Sequence, residues 1–558
     1  MLSSLIKSIF PSSSSSSSTN NENSTSPSPS PNNGTILSAT LALFVSAAGA
    51  GLLSYPYAVM HQGILINVIL TIGFALLTIY TDIILVQTSH IFSPYLTIGT
   101  YEDLARTSLG YFAYVTAILS VVLGIFGALI GFMIIIGDMS IPVLEHICSN
   151  NDSLTCMIVT NRWFIVLMVA IFIALPLSSR KTIHGLVDSS IFASLTVLVV
   201  GILVIIHGSN NIHGNWIITN NEPDPSAPNA NDTSSSSSII LLRWSFIGWM
   251  LGMPISIFSL GNHTQVVPVF LGCTNITKEK FFKPISYAVG TCLLLYLSTG
   301  LLGYISFRDT TKGDVLINFP ITDAVSDTAK ALLAIHVLLA YPLLLWPCRK
   351  SLAAVCSVFG QQYINNYDMN NFRYKYGKLL LFIANSPLTL ASILVLTTSI
   401  LSIAFPQVAI VFGLIGSTCA TYQIYIIPAW MLYKYAQAYD GTLLTNMNTD
   451  NNEIIEQLSL LENRGDSTFS SYPQHENTNT TVELDSTNGT LTNYQRNMVW
   501  ANIPQLYKDN KNNISLINWL PTKSWILYIH SYCLFIIGTL VILIGTGTYI
   551  YTTWIRAV

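Results

Sequence analysis

Apolar stretches of about twenty residues recur along this chain with short polar intervals, each long enough to cross roughly 30 Å of hydrocarbon as a helix. The pattern predicts eleven spans, at about 36–60, 64–91, 113–137, 163–179, 187–207, 244–271, 285–307, 330–349, 379–404, 406–433 and 524–552. The first of them is not uniform. Leu41 to Ala48 is a good helix former, Gly49-Ala50-Gly51 then interrupts it, and Pro56 follows. In hydrocarbon an unwound backbone is tolerated only where its N–H and C=O groups meet a ligand, an ion or another part of the protein. Small residues at this position also suit close helix packing, so the break by itself reads either way.

The sixth span, Arg243 to Phe270, is interrupted too, by Gly252, Pro254, Gly261 and Pro268. It carries the polar cluster Ser259, Asn262, His263, Thr264 and Gln265. Spans one and six each open a set of five. Interrupted hydrophobic segments at matching positions in two halves are the sequence mark of a transporter built from inverted repeats, with its substrate site at the breaks.

Composition agrees with a membrane protein: 51% of residues are apolar and only 9% charged, against about a quarter charged in soluble domains. The net charge of −3 carries little, because orientation depends on cations loop by loop. With the N-terminus in the cytosol, inside loops hold Arg106, Arg180, Lys181, Lys278, Lys280, Lys283, Arg349 and Lys350, while outside loops hold Asp138, Glu145, Asp152, Asp314 and Asp327. Residues 1–34, with the serine run Ser12–Ser18, are low complexity and expected to be a disordered cytosolic tail. The expected core is 35–433, with repeats at about 36–207 and 244–433; 434–523 is expected to be a largely disordered cytosolic loop, and 524–558 the eleventh helix and C-terminus. Sequons at Asn151 and Asn231 fall on the outer side, where glycosylation can occur. Cys148 and Cys156 share an outer loop and read either as a disulfide or as two free thiols.

Several segments also resemble the amino acid/auxin permease family, which includes sodium-coupled neutral amino acid transporters and vacuolar amino acid transporters. GAGLLSYPYAVMHQG (49–63) is similar to the family's G-x-G-I-L-x-L-P-Y-A-x-x-x-x-G, and TYEDLARTSLG (100–110) to its polar linker before the third span. FMIIIGDMS (132–140) resembles its I-I-x-G-D run and LPLSSRKTIHGL (175–186) its L-P-L-S-x-x-R-x. GNHTQVVPVF (261–270) follows C-H-x-E-x-x-P-I-Y, and GLLGYISFRDTTKGDVLINF (300–319) follows the segment that ends L-x-N-Y. AYPLLLWPCRKSL (340–352) and VFGLIGSTCATYQIYIIPAWMLYK (411–434) resemble the eighth and tenth spans. The resemblance implies an all-α polytopic membrane protein of the LeuT-like class: a five-plus-five inverted repeat plus an eleventh helix. It also implies a secondary active transporter of amino acids, in a vacuolar or lysosomal membrane or the plasma membrane.

An amino acid presents a carboxylate, an ammonium and a side chain. Backbone N–H groups near Gly51 and Leu52, at the positive end of a half-helix, are candidates for the carboxylate, and small Ala50 and Gly51 leave room for the ligand backbone. Ser259, Asn262 and His263 are candidates for the facing side of the site. Neither break carries a fixed charge apart from titratable His263, which favours neutral amino acids. Candidates for the coupling ion or proton are Ser46, Gly49, His263 and Asp82. His263 can carry a proton near neutral pH or stand as a neutral, hydrogen-bonded imidazole; Asp82 can join a relay or make a structural hydrogen bond. Sodium-dependent members of the family place an Asn four residues before the first Gly of the break and a hydroxyl on span eight. Here those positions read Val45, and Lys350 with Ser351, so proton coupling or an uncoupled antiport is preferred over sodium.

No metal cluster or nucleophile–base set stands out, so neither a cofactor nor enzymatic chemistry is expected. The expected partners are a small neutral amino acid and the lipid bilayer, with no nucleic acid, and the protein is expected to act as a monomer. A sensor that binds an amino acid on the same fold with little transport is the competing reading.

Overall fold

The structure, a computed structural model, describes residues 35–49, 51–93, 98–148, 160–179, 196, 198–206, 218–219, 239–273, 275–277, 280–319, 324–367, 369, 371–440, 496–497, 499–500 and 523–557. Apart from a two-residue pairing of β1 (Ile218–Thr219) with β2 (Ile239–Ile240), its regular elements are helical. The first span is two helices, α1 (Ile36–Ala47) and α2 (Gly51–Gln62), bent by 62° across the glycine break. A capping box starts α1: Thr35 Oγ1 accepts the Ser38 N–H at 3.2 Å, and Ser38 Oγ accepts the Thr35 N–H at 2.9 Å. Gly63, at φ 78°, makes the turn into α3 (Ile64–Phe92), where a side chain would press on the Arg243 backbone.

A short α4 (Tyr101–Leu109), capped by Thr100 and Asp103, leads into the long α5 (Tyr111–Cys148). Then come α6 (Arg162–Ser178), a helical stretch at 198–206, and the second broken span, α7 (Phe246–Ser259) and α8 (His263–Gly272). Next are α9 (Phe282–Phe307), α10 (Ala324–Asn366), α11 (Phe372–Asn385), α12 (Pro387–Ala404), α13 (Val408–Asp440) and α14 (Ser524–Thr553).

Among the described residues seven helices are long and apolar enough to cross a bilayer, and the bent α1–α2 pair makes an eighth. The shorter α6, the α7–α8 pair and the stretch at 198–206 lie where the other three spans are expected. The chain is an all-α, multi-pass integral membrane protein.

Three boundaries differ from the sequence reading. The span expected at 379–404 is divided at Ser386, which takes an extended conformation (φ −105°, ψ 93°) before Pro387, because a residue preceding proline is crowded out of the helical region. Helix α10 continues to Asn366, well past 349. The stretch assigned to a loop from 434 starts as the last turns of α13, and Arg496 and Trp500 are buried against the helices.

The two broken spans form the centre and run antiparallel. Gly51 of α2 lies against Ser259 at the end of α7, whereas a Cβ on Gly248, near the start of α7, would strike the His61 carbonyl at the end of α2. Gln62 extends this contact: its Nε2 donates to the Trp249 carbonyl at 3.4 Å, and its Oε1 accepts from Asn67 Nδ2 at 2.7 Å. The other two halves, α1 and α8, pack on each other, α9 runs along α1 and α2, and α5 packs against α10, α12 and α13. The last helix lies against α13 and α7.

Candidate functional site

A cavity of about 890 Å³ reaches inward to the two breaks, a size suited to a small molecule. At its inner end are Gly49, Gly51, Ser259 and Gly261, with Phe258, Phe412 and Phe132 forming an apolar wall. Phe258 and Phe412 stack with ring centroids 4.9 Å apart. From there the cavity widens along the α1 half of the first span, the start of α5, and the stretch of α10 from His336 to Ser351. All of these lie towards one end of the molecule, the end where α1 begins.

The opposite end is closed. Ser54 Oγ of α2 donates to the Gly313 carbonyl at 2.8 Å, fastening the loop after α9 onto the first span. In that loop Asp314 Oδ1 accepts the Leu316 N–H at 2.9 Å, and Lys330 Nζ donates to the Phe319 carbonyl at 3.1 Å. Asp138, near the end of α5, is bonded to Arg162 at the start of α6.

The breaks meet directly. A Cβ added to Gly51 would collide with the Ser259 side chain, so glycine is needed there for two backbones to approach. Gly51 opens α2, and the first N–H groups of a helix have no acceptor within it. Leu52 N–H is already taken by the Gly49 carbonyl at 3.2 Å, and the Leu52 side chain is buried beside Gly201 and away from the cavity. Ala50 lies outside the described residues. Ser46 and Gly49 line the cavity, as does Val45; the Ser46 hydroxyl donates to the Leu43 carbonyl at 2.8 Å.

Asn262 is the N-cap of α8 and His263 its first residue, both buried. The two titratable candidates named separately from the sequence prove to be neighbours. Asp82 Oδ1 of α3 lies 3.4 Å from His263 Nδ1, a close approach rather than a formed hydrogen bond. Thr81 Oγ1 lies 2.7 Å from His263 Nε2, and Asn262 stands beside Asp82. Asp82 is fully buried and His263 shows one edge to the cavity, so the pair sits directly behind the cavity wall. A buried carboxyl and imidazole in this arrangement need one proton between them, or a full ion pair, to avoid an uncompensated charge in a dry setting.

Of the other cavity residues, the sequence singles out Lys350 and Ser351 but not Glu102 and Asp103. Glu102 and Asp103 reach it from α4; Asp103 is committed to the helix cap, accepting the Gly99 and Thr100 N–H groups at 3.3 and 3.1 Å. Burial pushes the Glu102 carboxyl above its ordinary range. Lys350 lies 3.7 Å above the Trp346 ring at the cavity's edge, next to Ser351. Arg349 turns the other way, donating to the Ser178 carbonyl at 2.6 Å and capping α6. The fixed charges of the cavity thus come from α4 and α10, not from the breaks. Asn151, Asn231, Cys156 and the side chain of Cys148 lie outside the described residues.

A multi-pass helical protein whose paired helix breaks adjoin a central one-sided cavity has the form of a membrane transporter. Comparison with known proteins agrees. The family model described as transmembrane amino acid transporter protein matches residues 32–439. The chain belongs to this family, the amino acid/auxin permeases, whose members carry amino acids. It is 26% identical over 405 residues to sodium-coupled neutral amino acid transporter 7 of Danio rerio, covering 71% of this chain and 78% of that protein. It is 26% identical over 397 residues to vacuolar amino acid transporter 2 of Saccharomyces cerevisiae, covering 70% and 75%. With solute carrier family 38 member 10 of Mus musculus it shares 23% identity over 394 residues, covering 70% of this chain and 32% of that protein.

Proposed function

We propose that this protein moves neutral amino acids across a membrane by alternating access, with two inverted five-helix repeats around the paired breaks and a proton as the coupling ion. The observation that carries this reading is the contact of Gly51 with Ser259 at the inner end of a cavity open on one side. In this reading the substrate carboxylate meets the N-terminal end of α2, where backbone N–H groups and the helix dipole favour an anion. The ammonium lies towards the Ser46 and Ser259 side, and the apolar wall of Phe132, Phe258 and Phe412 receives the side chain.

The His263–Asp82 pair supports a proton as the coupling ion, since it joins the cavity wall to a buried carboxyl. Val45, in place of an oxygen-bearing side chain one turn before the break, supports the same choice, because a sodium site needs several hard oxygen ligands. The relatives named for neutral amino acids and for the vacuole support the substrate class and a vacuolar setting.

Uptake of labelled L-leucine and L-glutamine by proteoliposomes holding the full chain tests this. A pH gradient is expected to drive accumulation and a sodium gradient to leave it unchanged. In Asp82→Asn and His263→Gln, exchange of amino acid persists while accumulation driven by the pH gradient is lost. Accumulation that follows sodium overturns the coupling; binding with no flux under either gradient overturns transport itself and favours a sensor.

A further inference from the structure

The break between α1 and α2 leaves backbone groups that helix hydrogen bonds no longer satisfy, and in a membrane they need partners from elsewhere. One side chain reaches them from α9. Tyr296 is fully buried; its hydroxyl donates to the Ala47 carbonyl at 2.7 Å and accepts the Gly49 N–H at 3.3 Å. It therefore bridges the unwound turn from both sides with a single oxygen.

The rest of α9 explains why the bridge is rigid. One turn before Tyr296, buried Cys292 faces the Phe44 carbonyl of α1. After it, Gly300 and Gly303 allow α9 to lie against Tyr55 and Pro56 of α2, where a Cβ would come within 2.6 Å of either side chain. The Tyr296 ring stacks on Tyr55 with centroids 5.3 Å apart, and the Tyr55 hydroxyl lies 2.5 Å from Thr71 Oγ1 on α3. The helix is thus a splint laid along both halves of the broken span, and among the described residues Tyr296 makes its polar contact with the unwound backbone.

We propose that Tyr296 is a positioning residue of the transport site. By holding Ala47 and Gly49 in fixed relation it sets where Gly51 and the start of α2 stand against the substrate. It also divides the break: one lone pair of the Ala47 carbonyl and the Gly49 N–H belong to the protein, and the ligand takes the N–H groups at the start of α2. This inference rests on the transport reading above.

The test uses Tyr296→Phe in the full chain, reconstituted beside the wild type and Tyr55→Phe. Each variant loses one buried hydroxyl and keeps its ring, so both carry a similar structural loss, but only Tyr296 touches the break. Tyr296→Phe is expected to raise KM for labelled L-leucine or L-glutamine roughly tenfold, the scale of one lost hydrogen bond. Its Vmax stays within about twofold, and the rise in melting temperature at a given ligand concentration shrinks, returning at about tenfold more ligand. Tyr55→Phe is expected to lower the melting temperature of the ligand-free protein and leave KM unchanged. Wild-type KM in Tyr296→Phe overturns the proposal, as does a KM change that Tyr55→Phe reproduces. Absence of uptake by the wild-type chain overturns the transport reading instead.

Discussion

At the scale of single residues, the site depends on how closely two backbones approach. Gly51 and Ser259 are in contact, and even one methyl group at position 51 has no room beside the serine hydroxyl. Overpacking a formed core costs about 1–3 kcal/mol, so Gly51→Ala is expected to lower both uptake and melting temperature. Adding Ser259→Ala to it should restore part of each, because it removes the oxygen that the new Cβ meets. Independent, additive losses in a double-mutant cycle would show that the two positions do not touch. The sequence pointed to both residues, since glycines that interrupt an apolar run stand out. It did not reveal that they meet, nor that Asp82 and His263 do, because each pair brings together spans far apart in the chain. Tyr296 gave no signal at all: one tyrosine in an apolar helix looks like a packing residue until its hydroxyl is seen between Ala47 and Gly49.

Among the elements, apolar periodicity located the spans to within a few residues where they are long and uninterrupted, as in α3, α9 and α14. It failed where a break lacks a change in hydropathy. Asn385-Ser386-Pro387 carried the information, since proline at the first helical position constrains its predecessor, but apolar residues on both sides masked it. Likewise the π-turns Gly416–Ala420 and Tyr422–Ile426 in α13, beside the cavity, follow from contacts: Thr421 Oγ1 donates five residues back to the Gly416 carbonyl, and a side chain at Gly416 would strike the Pro254 carbonyl.

The loop that closes the other end makes a prediction of its own. Burial, with the neighbouring Asp138 carboxylate, pushes Asp314 from an ordinary value of 3.8 up to about 8. Between those values the folded protein keeps a proton that the unfolded chain releases. The stability tied to that proton is therefore complete below about pH 4, falls as pH rises, and is gone above about pH 8. Thermal unfolding of Asp314→Asn between pH 5 and 9 is expected to be flatter than that of the wild type; an unchanged slope would mean that Asp314 titrates as an exposed aspartate.

At the scale of the whole molecule, residues that composition assigned to a loop return to anchor α4 against α3 and α13. Trp500 is fully buried between Phe92 and Tyr435, with centroids at 5.1 and 4.9 Å, and its Nε1 donates to the Ser108 carbonyl at 2.8 Å. Arg496 Nε donates to the Thr107 carbonyl at 3.0 Å. Both bonds satisfy carbonyls at the C-terminal end of α4, whose other end supplies Glu102 and Asp103 to the cavity. Truncating a buried tryptophan to alanine costs about 3–5 kcal/mol. Trp500→Ala is expected to speed amide exchange in α4 and the last turns of α13 while exchange in α2 and α7 stays slow. Uniform acceleration would show instead that the contact supports the fold as a whole. The low-complexity composition around these residues hid them, since two anchoring side chains do not alter an average.

Because the described lining of the cavity lies towards the end where α1 begins, and the loop after α9 is fastened over α2 at the other, the two faces of the membrane meet different surfaces. An amino acid analogue too bulky to pass the Gly51–Ser259 contact, and unable to cross lipid, would find a seat from that face alone. Added there it competes with the substrate and stalls the carrier as a plug; added on the Asp314 face, it meets the closed loop over α2. If the protein works by the alternating access proposed above, sided inhibition of this kind would tell which of its two states is the more populated.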